Sequence, residues 1–266
     1  MLKKVILILT VVLLSVIFAG FKVYTAYSDS TSAQNNKNEP ILLKGKIMES
    51  PIVGDYFSIY RPERVRLDAP LIQQFPELPR GCEVTSLAML LQFAGQDVGK
   101  MELAKKIKKD PTPYAVVDGL IHFGNPNNGF VGAMDTFDQP GLGVYHGPIA
   151  DLAKAYLKDQ VIDLSGKSFD YVLDLLADGV PVWVIINTRF ERLSEDYWVD
   201  WETPEGPIQI TRKEHSVLVT GYDDQWIYFN DPLTGQKNRK AERQRFIEGW
   251  EQMGSQAVSY LKTNVG

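Results

Sequence analysis

The fold of this chain is decided by residues 76–91, which read Pro-Glu-Leu-Pro-Arg-Gly-Cys-Glu-Val-Thr-Ser-Leu-Ala-Met-Leu-Leu. Apolar side chains recur in the second half of this stretch at three- and four-residue spacing, which predicts a helix over residues 82–94. Gly95 follows, and glycine commonly ends helices because it adopts left-handed conformations freely. We therefore predict a helix that begins at Cys82, directly after a proline-rich turn.

Cys82 is the single cysteine of the 266 residues, so it cannot take part in an intramolecular disulfide. A thiol in the first turn of a helix lies near free backbone N–H groups and the positive end of the helix dipole, which favour the thiolate. A neighbouring protonated histidine would lower the thiol pKa further. Because the thiolate is the nucleophilic form, we predict a reactive thiol with a pKa below its usual value.

The N-terminal residues 1–26 have the pattern of a membrane-targeting segment. Lys3 and Lys4 precede an uncharged apolar run over residues 5–21, about as long as a long signal-peptide core or a short spanning helix. No cysteine follows this run, which excludes a lipoprotein anchor. The pattern predicts export, with an uncleaved signal anchor favoured over a cleaved signal peptide, at the extracellular face of the cell membrane or in secreted form.

Residues 27–39 are polar and predict a flexible tether, and residues 40–266 fit one globular domain of ordinary size. The formal net charge of the chain is −5, and the exported part is more acidic still because residues 1–26 carry three lysines and no acid. An acidic, aromatic-rich domain without a basic stripe argues against nucleic acid as a partner. We predict a peptide or protein substrate, including one attached to the cell wall.

The remaining elements predict an α+β domain, with helices dominating the first half and strands the second. Strands are predicted within residues 40–60, and a loop rich in Gly, Pro, Asn and Asp over residues 110–146. The other predicted helices lie at residues 98–108, 149–157, 169–177 and 240–253, and the other strands at residues 161–164, 181–187, 208–210, 215–222, 226–230 and 257–261.

Nucleophilic catalysis by a thiol needs a base within hydrogen-bonding reach and a group that orients the base. His215 opens one predicted strand and Asp231 directly follows the next. If a three-residue loop joined the two strands, His215 and Asp231 would be diagonal neighbours on one face of the hairpin. A two-residue loop would place them on opposite faces.

These residues resemble the double-glycine-leader-peptidase-like family of papain-like cysteine peptidases. The resemblance extends over about residues 65–262 and is carried by Gln74, the Pro-Glu-Leu-Pro-Arg-Gly-Cys-Glu run, the Gly-Asn-Pro and Gly-Phe-Val-Gly segments, His215 with the strand that follows it, and Asn-Asp-Pro at 230–232. No transporter domains follow, so the chain is similar to the stand-alone exported branch.

The resemblance implies a papain-like fold in which the helix carrying Cys82 packs on a twisted antiparallel sheet carrying His215 and Asp231. It implies that Cys82 is the nucleophile, His215 the base and Asp231 the group that orients the base. It also implies that Gln74 and the Cys82 backbone N–H form the oxyanion hole, and that no cofactor is needed. The implied activity is that of an exported cysteine peptidase or amidase acting through a thioester.

Two other functions remain open at this stage: an acyl transferase or transpeptidase on the same fold, and a non-catalytic module that binds a peptide or the cell wall. Glu83 is either a structural acid suited to the helix dipole or a support for the neighbouring loop. His146 is a second possible base, and His122 a weaker one. Residues 197–202 predict a hairpin that either covers the cleft with its aromatic side chains or packs them on its own domain. No cluster with zinc-ligand spacing and no phosphate-binding loop is present in the sequence.

Overall fold

A computed structural model describes residues 61–262 of the chain. The predicted targeting segment at 1–26, the tether at 27–39 and the strands within 40–60 lie outside the described residues. The helices of the described part are α1 Cys82–Phe93, α2 Lys100–Lys106, α3 His146–Leu157, α4 Phe169–Ala177 and α5 Arg243–Gln252. None of them is long and apolar enough to cross a membrane.

Thirteen strands are found among the described residues. They are β1 Val65–Arg66, β2 Lys109–Asp110, β3 Ala115–Val117, β4 Leu120–His122, β5 Phe130–Val131, β6 Val161–Asp163, β7 Val182–Asn187, β8 Trp198–Thr203, β9 Gly206–Thr211, β10 Glu214–Tyr222, β11 Trp226–Asp231, β12 Gln236–Glu242 and β13 Ala257–Tyr260. The predicted α+β class is confirmed.

The main sheet is antiparallel and has the order β12-β11-β10-β7-β13-β6, with β1 added at one end of β10. Every residue of β7 is buried, which explains its apolar run from Val182 to Ile186, since both of its faces are covered. Helix α1 packs on β10 and β7, where Ser86 Oγ donates to Ser216 O at 3.1 Å and Trp183 Nε1 donates to Glu83 O at 3.0 Å.

Helix α1 is the centre of the domain, because every residue from Cys82 to Leu91 is buried. A helix that is covered on all sides shows weak amphipathic periodicity, and polar residues such as Thr85 and Ser86 then need partners inside the protein. Thr85 Oγ1 donates to Gly81 O at 2.6 Å, which fixes the turn immediately before Cys82. The start of the helix is therefore held rigidly against the sheet.

Strand β12 is the main element that the sequence did not predict. The predicted helix at 240–253 begins at Arg243, because residues 236–242 pair with β11 instead. This segment is polar and lies at the edge of the sheet, so it has no apolar alternation to mark it as a strand. Glu242 ends the strand and caps α5, since its carboxylate accepts from the backbone N–H groups of Gln244 and Arg245.

A second sheet, of order β3-β4-β8-β9, is built partly from the long predicted loop at 110–146. The aromatic hairpin predicted at 197–202 is β8 and β9, and it packs Trp201 against Phe123 with ring centroids 5.4 Å apart. Trp198 lines a cleft of about 310 Å³, which is not the cleft that contains Cys82. The hairpin thus packs its aromatic side chains on its own domain.

Candidate active site

Cys82 lies at the base of a cleft of about 360 Å³ that is also lined by Gln74 and His215. The thiol is the first side chain of α1, and only 6% of the residue is exposed. The rim of the cleft includes Phe137 from the long loop, whose ring lies under the Arg80 guanidinium at 4.9 Å. Three of the four predicted site residues therefore share one cavity, and the fourth lies behind His215.

The hairpin of β10 and β11 reaches the predicted alignment by a different route. Tyr222 pairs with Ile227, so the connection is longer than the three residues considered above. A bulge at Thr220 then takes up one extra residue on β10, and Leu218 pairs with Asn230. Continuing from that pair, Asp231 lies diagonally opposite His215 on the same face, as the three-residue loop would have placed it.

His215 and Asp231 form a buried hydrogen bond of 2.9 Å between Nε2 and Oδ1. This bond uses Nε2, so Nδ1 is the nitrogen left to exchange a proton with the thiol. Phe190 packs edge-on against the imidazole, with ring centroids 6.1 Å apart, and limits its rotation. The pair thus has the geometry of a base and the group that orients it.

Asp231 is held as a carboxylate by four donors. Its Oδ1 also accepts from the Leu233 N–H at 2.9 Å, while Oδ2 accepts from Thr234 Oγ1 at 3.0 Å and Arg239 Nη1 at 2.6 Å. Burial opposes ionisation, but the hydrogen bond and charge of His215, together with Arg239, hold the pKa of Asp231 well below its usual value.

The role of Arg239 in the site was missed by the sequence analysis. Arg239 lies on β12, the edge strand that the sequence did not predict, so nothing placed it near Asp231. The only available signal was its position eight residues after Asp231, where a tight hairpin returns the chain.

Gln74 reaches the cleft from the segment before the proline-rich turn. Its backbone N–H donates to Pro232 O at 2.9 Å, which ties this segment to the end of β11. Its side-chain Nε2 donates to Pro79 O at 2.7 Å, and the residue is 2% exposed. An amide nitrogen carries two hydrogens, so the second remains for a group bound in the cleft.

The thiol of Cys82 does not have the low pKa expected from its helix position. Burial, followed by the nearby carboxyl groups of Glu83 and Glu214, raises the pKa of Cys82 well above its usual value. Sγ donates a hydrogen bond to Glu83 Oε2 at 3.3 Å, and no hydrogen bond among the described residues joins it to the His215 ring. The helix dipole is therefore outweighed by desolvation and by two acids that the expectation left out.

The two other histidines are not part of this cleft. His146 pairs through Nδ1 with Asp163 Oδ2 at 2.6 Å and lines the separate cleft of about 310 Å³. His122 lies in β4, opposite Ala115. His215 is therefore the histidine that the fold places beside Cys82.

Donor atoms of Cys82, Glu83 and Glu214 lie within 4.8 Å of one another, a spacing that would also suit a cation. Both oxygens of Glu83 already accept hydrogen bonds, Oε2 from the thiol and Oε1 from the Val144 N–H at 2.7 Å. We therefore interpret this group as two carboxyl groups beside a thiol, with Glu83 hydrogen-bonded to it.

Comparison with known proteins agrees with the geometry of the site. A model of the Peptidase_C39 like family matches residues 66–258. The chain belongs to this family. The C39-like match extends over α1, β10 and β11, and so includes Gln74, Cys82, His215 and Asp231. The resemblance to the leader-peptidase-like family and the papain-like α+β fold are both confirmed.

Two relatives show how far the C39-like likeness extends. The "Uncharacterized protein YvpB" of Bacillus subtilis (strain 168) is 47% identical over 235 residues, which cover 88% of this chain and 83% of that protein. A crystal structure of a "putative C39-like peptidase" from Bacillus anthracis is 48% identical, with a TM-score of 0.70, and the match covers 76% of this chain and 98% of that one.

We expect Asp231→Ala to lower both kcat/KM and the melting temperature, because the imidazole loses its orienting partner and Arg239, Leu233 and Thr234 lose their acceptor. Asp231→Asn keeps an acceptor oxygen but removes the charge, so we expect a smaller loss of kcat/KM, roughly tenfold to a hundredfold. Peptide hydrolysis and thermal unfolding of the two variants check this order. Equal activity of both variants and wild type would reduce the site to Cys82 and His215.

Proposed function

We propose that this protein is a cysteine peptidase or amidase that cleaves peptide bonds through a thioester on Cys82. The observation that carries the proposal is the buried bond between His215 Nε2 and Asp231 Oδ1, in a cleft shared with the only cysteine of the chain. A thiol beside an oriented imidazole is the arrangement that nucleophilic catalysis requires. Membership of the Peptidase_C39 like family supports the same reaction class.

The reaction begins when Nδ1 of His215 takes the proton from Sγ and the sulfur attacks the carbonyl carbon of the substrate. The C–O double bond opens to an oxyanion, which accepts hydrogen bonds from the Cys82 backbone N–H and from Nε2 of Gln74. His215 then gives its proton to the leaving amine, and a thioester remains. Water, deprotonated by His215, hydrolyses the thioester and restores the thiol, while Asp231 stabilises the imidazolium at each step.

An amine in place of water would make the same site an acyl transferase or a transpeptidase. Incubating the protein with peptides in the presence and absence of a small primary amine separates these activities, because hydrolysis yields a free carboxylate and transfer yields a new amide. We expect the carboxylate to dominate without added amine. Binding without either product would leave a non-catalytic peptide-binding module and contradict the proposal.

We expect Gln74→Ala to lower kcat and kcat/KM together, by roughly a hundredfold, because the oxyanion exists only after attack by the thiol. Steady-state kinetics on one peptide substrate measures both constants. The alkylation rate of Cys82 is the control, since it involves no oxyanion and should stay as in wild type. An effect on KM alone would reassign Gln74 to substrate binding.

We also propose that residues 1–26 direct the protein across the membrane and hold it at the outer surface, on the strength of the basic start and the apolar run that follows. Cell fractionation should then recover the protein with membranes, and mass spectrometry should find residues 1–26 retained. A soluble form that begins near residues 20–34 would show cleavage of this segment and contradict the anchor.

A further inference from the structure

Two carboxyl groups that peptide-bond cleavage does not use lie beside the Cys82 thiol. Glu83 is fully buried, and Glu214 Oε1 is buried without a hydrogen-bond partner. We infer that Glu83 and Glu214 share one proton and hold the Cys82 sulfur as a thiol, hydrogen-bonded to Glu83 and not to the His215 ring. This inference rests on the proposed role of Cys82 as the nucleophile, and it makes Glu83 and Glu214 positioning residues for that nucleophile.

Glu83 is buried and Glu214 is half-buried at the cleft, and neither forms an ion pair among the described residues. Carboxylate oxygens of Glu83 and Glu214 lie within 4.8 Å of each other and of Sγ, and every ion pair among the described residues involves other acids. Two like charges at this separation in a desolvated site cannot both persist at neutral pH, so one carboxyl group keeps its proton. Burial raises the pKa of Glu83 to about 7, and burial with the charge of Glu83 raises that of Glu214 well above its usual value.

The backbone around Gly143 fixes the two carboxyl groups in place. A Cβ atom on Gly143 would lie 2.0 Å from Glu83 Oε1 and 2.9 Å from Glu214 Oε2, so both carboxyl groups occupy space that any other residue at 143 would need. The next N–H, that of Val144, donates to Glu83 Oε1 at 2.7 Å. Because Oε1 is occupied by this donor, Oε2 is the oxygen that faces the thiol.

Three structural elements surround the thiol and the pair. Helix α1 carries Cys82 and Glu83, and β10 carries Glu214. The segment before α3 carries Tyr145, and burial, Glu214 and Glu83 raise the pKa of its hydroxyl. Arg212 and His215 line the same cleft as Glu214 but form no ion pair with it. Besides burial, the groups that disfavour a negative charge on the sulfur are therefore the two acids, Glu83 and Glu214.

The consequence for the reaction is a resting thiol that must leave Glu83 before it can be deprotonated. A thiolate would be a second negative charge beside a pair that already carries one. Rotation about the Cys82 side chain breaks the Sγ–H to Glu83 hydrogen bond and brings the proton to Nδ1 of His215. No atom is gained or lost in this step, since the proton moves from sulfur to the imidazole and the charge of the carboxyl pair is unchanged.

The test is the pH dependence of Cys82 alkylation by iodoacetamide, which is unambiguous because the chain has one thiol. We expect the wild-type midpoint to lie above about 8.5, the value of a free cysteine. The double variant Glu83→Gln/Glu214→Gln removes the single charge of the pair while keeping the side-chain sizes, whereas either substitution alone leaves the other carboxyl group to carry that charge. We expect the double variant to lower the midpoint by about one pH unit or more, and so to speed alkylation about tenfold well below the midpoint.

Glu102→Gln is the matched control, because Glu102 is an exposed acid paired with Lys106 on α2 and should leave the midpoint unchanged. An unchanged midpoint in the double variant Glu83→Gln/Glu214→Gln would overturn the inference. Alkylation needs no substrate, so the two hypotheses are tested separately. A protein that cleaves no peptide but shows the shift of the midpoint would contradict the proposed function alone. A protein that cleaves peptides through Cys82 without the shift would contradict only the inference about Glu83 and Glu214.

Stability against pH gives a second readout if alkylation of a variant proves too slow to follow. The pKa of Glu83 is raised from about 4.3 in the unfolded chain to about 7 in the folded protein by burial. Its effect on the free energy of unfolding is therefore fully favourable below about 4.3, and this contribution is lost as the pH rises through the folded value. The free energy of unfolding of wild type, measured with urea, should therefore fall as the pH rises from about 4.3 to above 7. Glu83→Gln should flatten this decline, and an equal decline in wild type and variant would contradict a shared proton.

Discussion

Cys82→Ala should abolish peptide hydrolysis, with a loss of kcat/KM of several orders of magnitude, while leaving the fold intact. Loss of the nucleophile from a covalent mechanism removes the reaction path itself, so binding and the oxyanion donors can supply only a small residual rate. The side chain is small and lines a cleft, so the alanine variant leaves little empty volume. Peptide cleavage and thermal unfolding of the variant are the measurements.

Ser86→Ala is the matched control for this substitution. Ser86 lies on the same buried face of the chain one turn along α1 and bonds to Ser216 O, but it does not line the cleft. We expect it to lower stability by about 1 kcal/mol and to keep most of the activity. If Cys82→Ala stayed active, or if it unfolded, the thiol would be a structural residue.

His215→Ala should lower kcat/KM by about a thousandfold or more, because the thiol would lose the imidazole that takes its proton. The high pKa of Cys82 makes this dependence stronger, since little thiolate forms without a base to take the proton. Hydrolysis of one peptide by wild type and variant at constant pH measures the loss.

His146→Ala is the control for the histidine substitution, because it also removes an imidazole paired with a carboxylate, that of Asp163, but outside the cleft. We expect activity close to wild type. Loss of activity in His146→Ala with retention in His215→Ala would assign the base to His146 and contradict the proposed mechanism.

The sequence predicted the helix at Cys82 and the strand at His215 because both have strong local signals. Helix α1 has an apolar repeat with a glycine after it, and β10 has the apolar run Val217-Leu218-Val219. The pairing of His215 with Asp231 was predicted on condition of a three-residue loop. The structure has this pairing, but a longer loop and a bulge at Thr220 produce it, and no residue of the loop indicates the bulge. A bulge depends on the packing of both strands, so local sequence does not reveal it.

The electrostatic environment of the thiol could not be predicted from the sequence. Glu214 precedes His215 by one residue, and simple alternation along a strand predicts that the two side chains lie on opposite faces, although both line the Cys82 cleft. Only the tertiary packing of α1 against β10 brings Glu214 within 4.8 Å of Glu83 and the thiol. Helix position alone predicts a lowered pKa for Cys82. This prediction is wrong because desolvation and two acids act on the same sulfur and raise its pKa.

The central claim is that Cys82 is a nucleophile activated by His215. The most direct test is labelling with a peptide that carries a thiol-reactive acyloxymethyl ketone, followed by peptide mapping by mass spectrometry. We predict one adduct, on Cys82, formed at least about a hundredfold more slowly in His215→Ala and at an unchanged rate in His146→Ala. Labelling of Cys82 at the same rate in His215→Ala and wild type would contradict the claim.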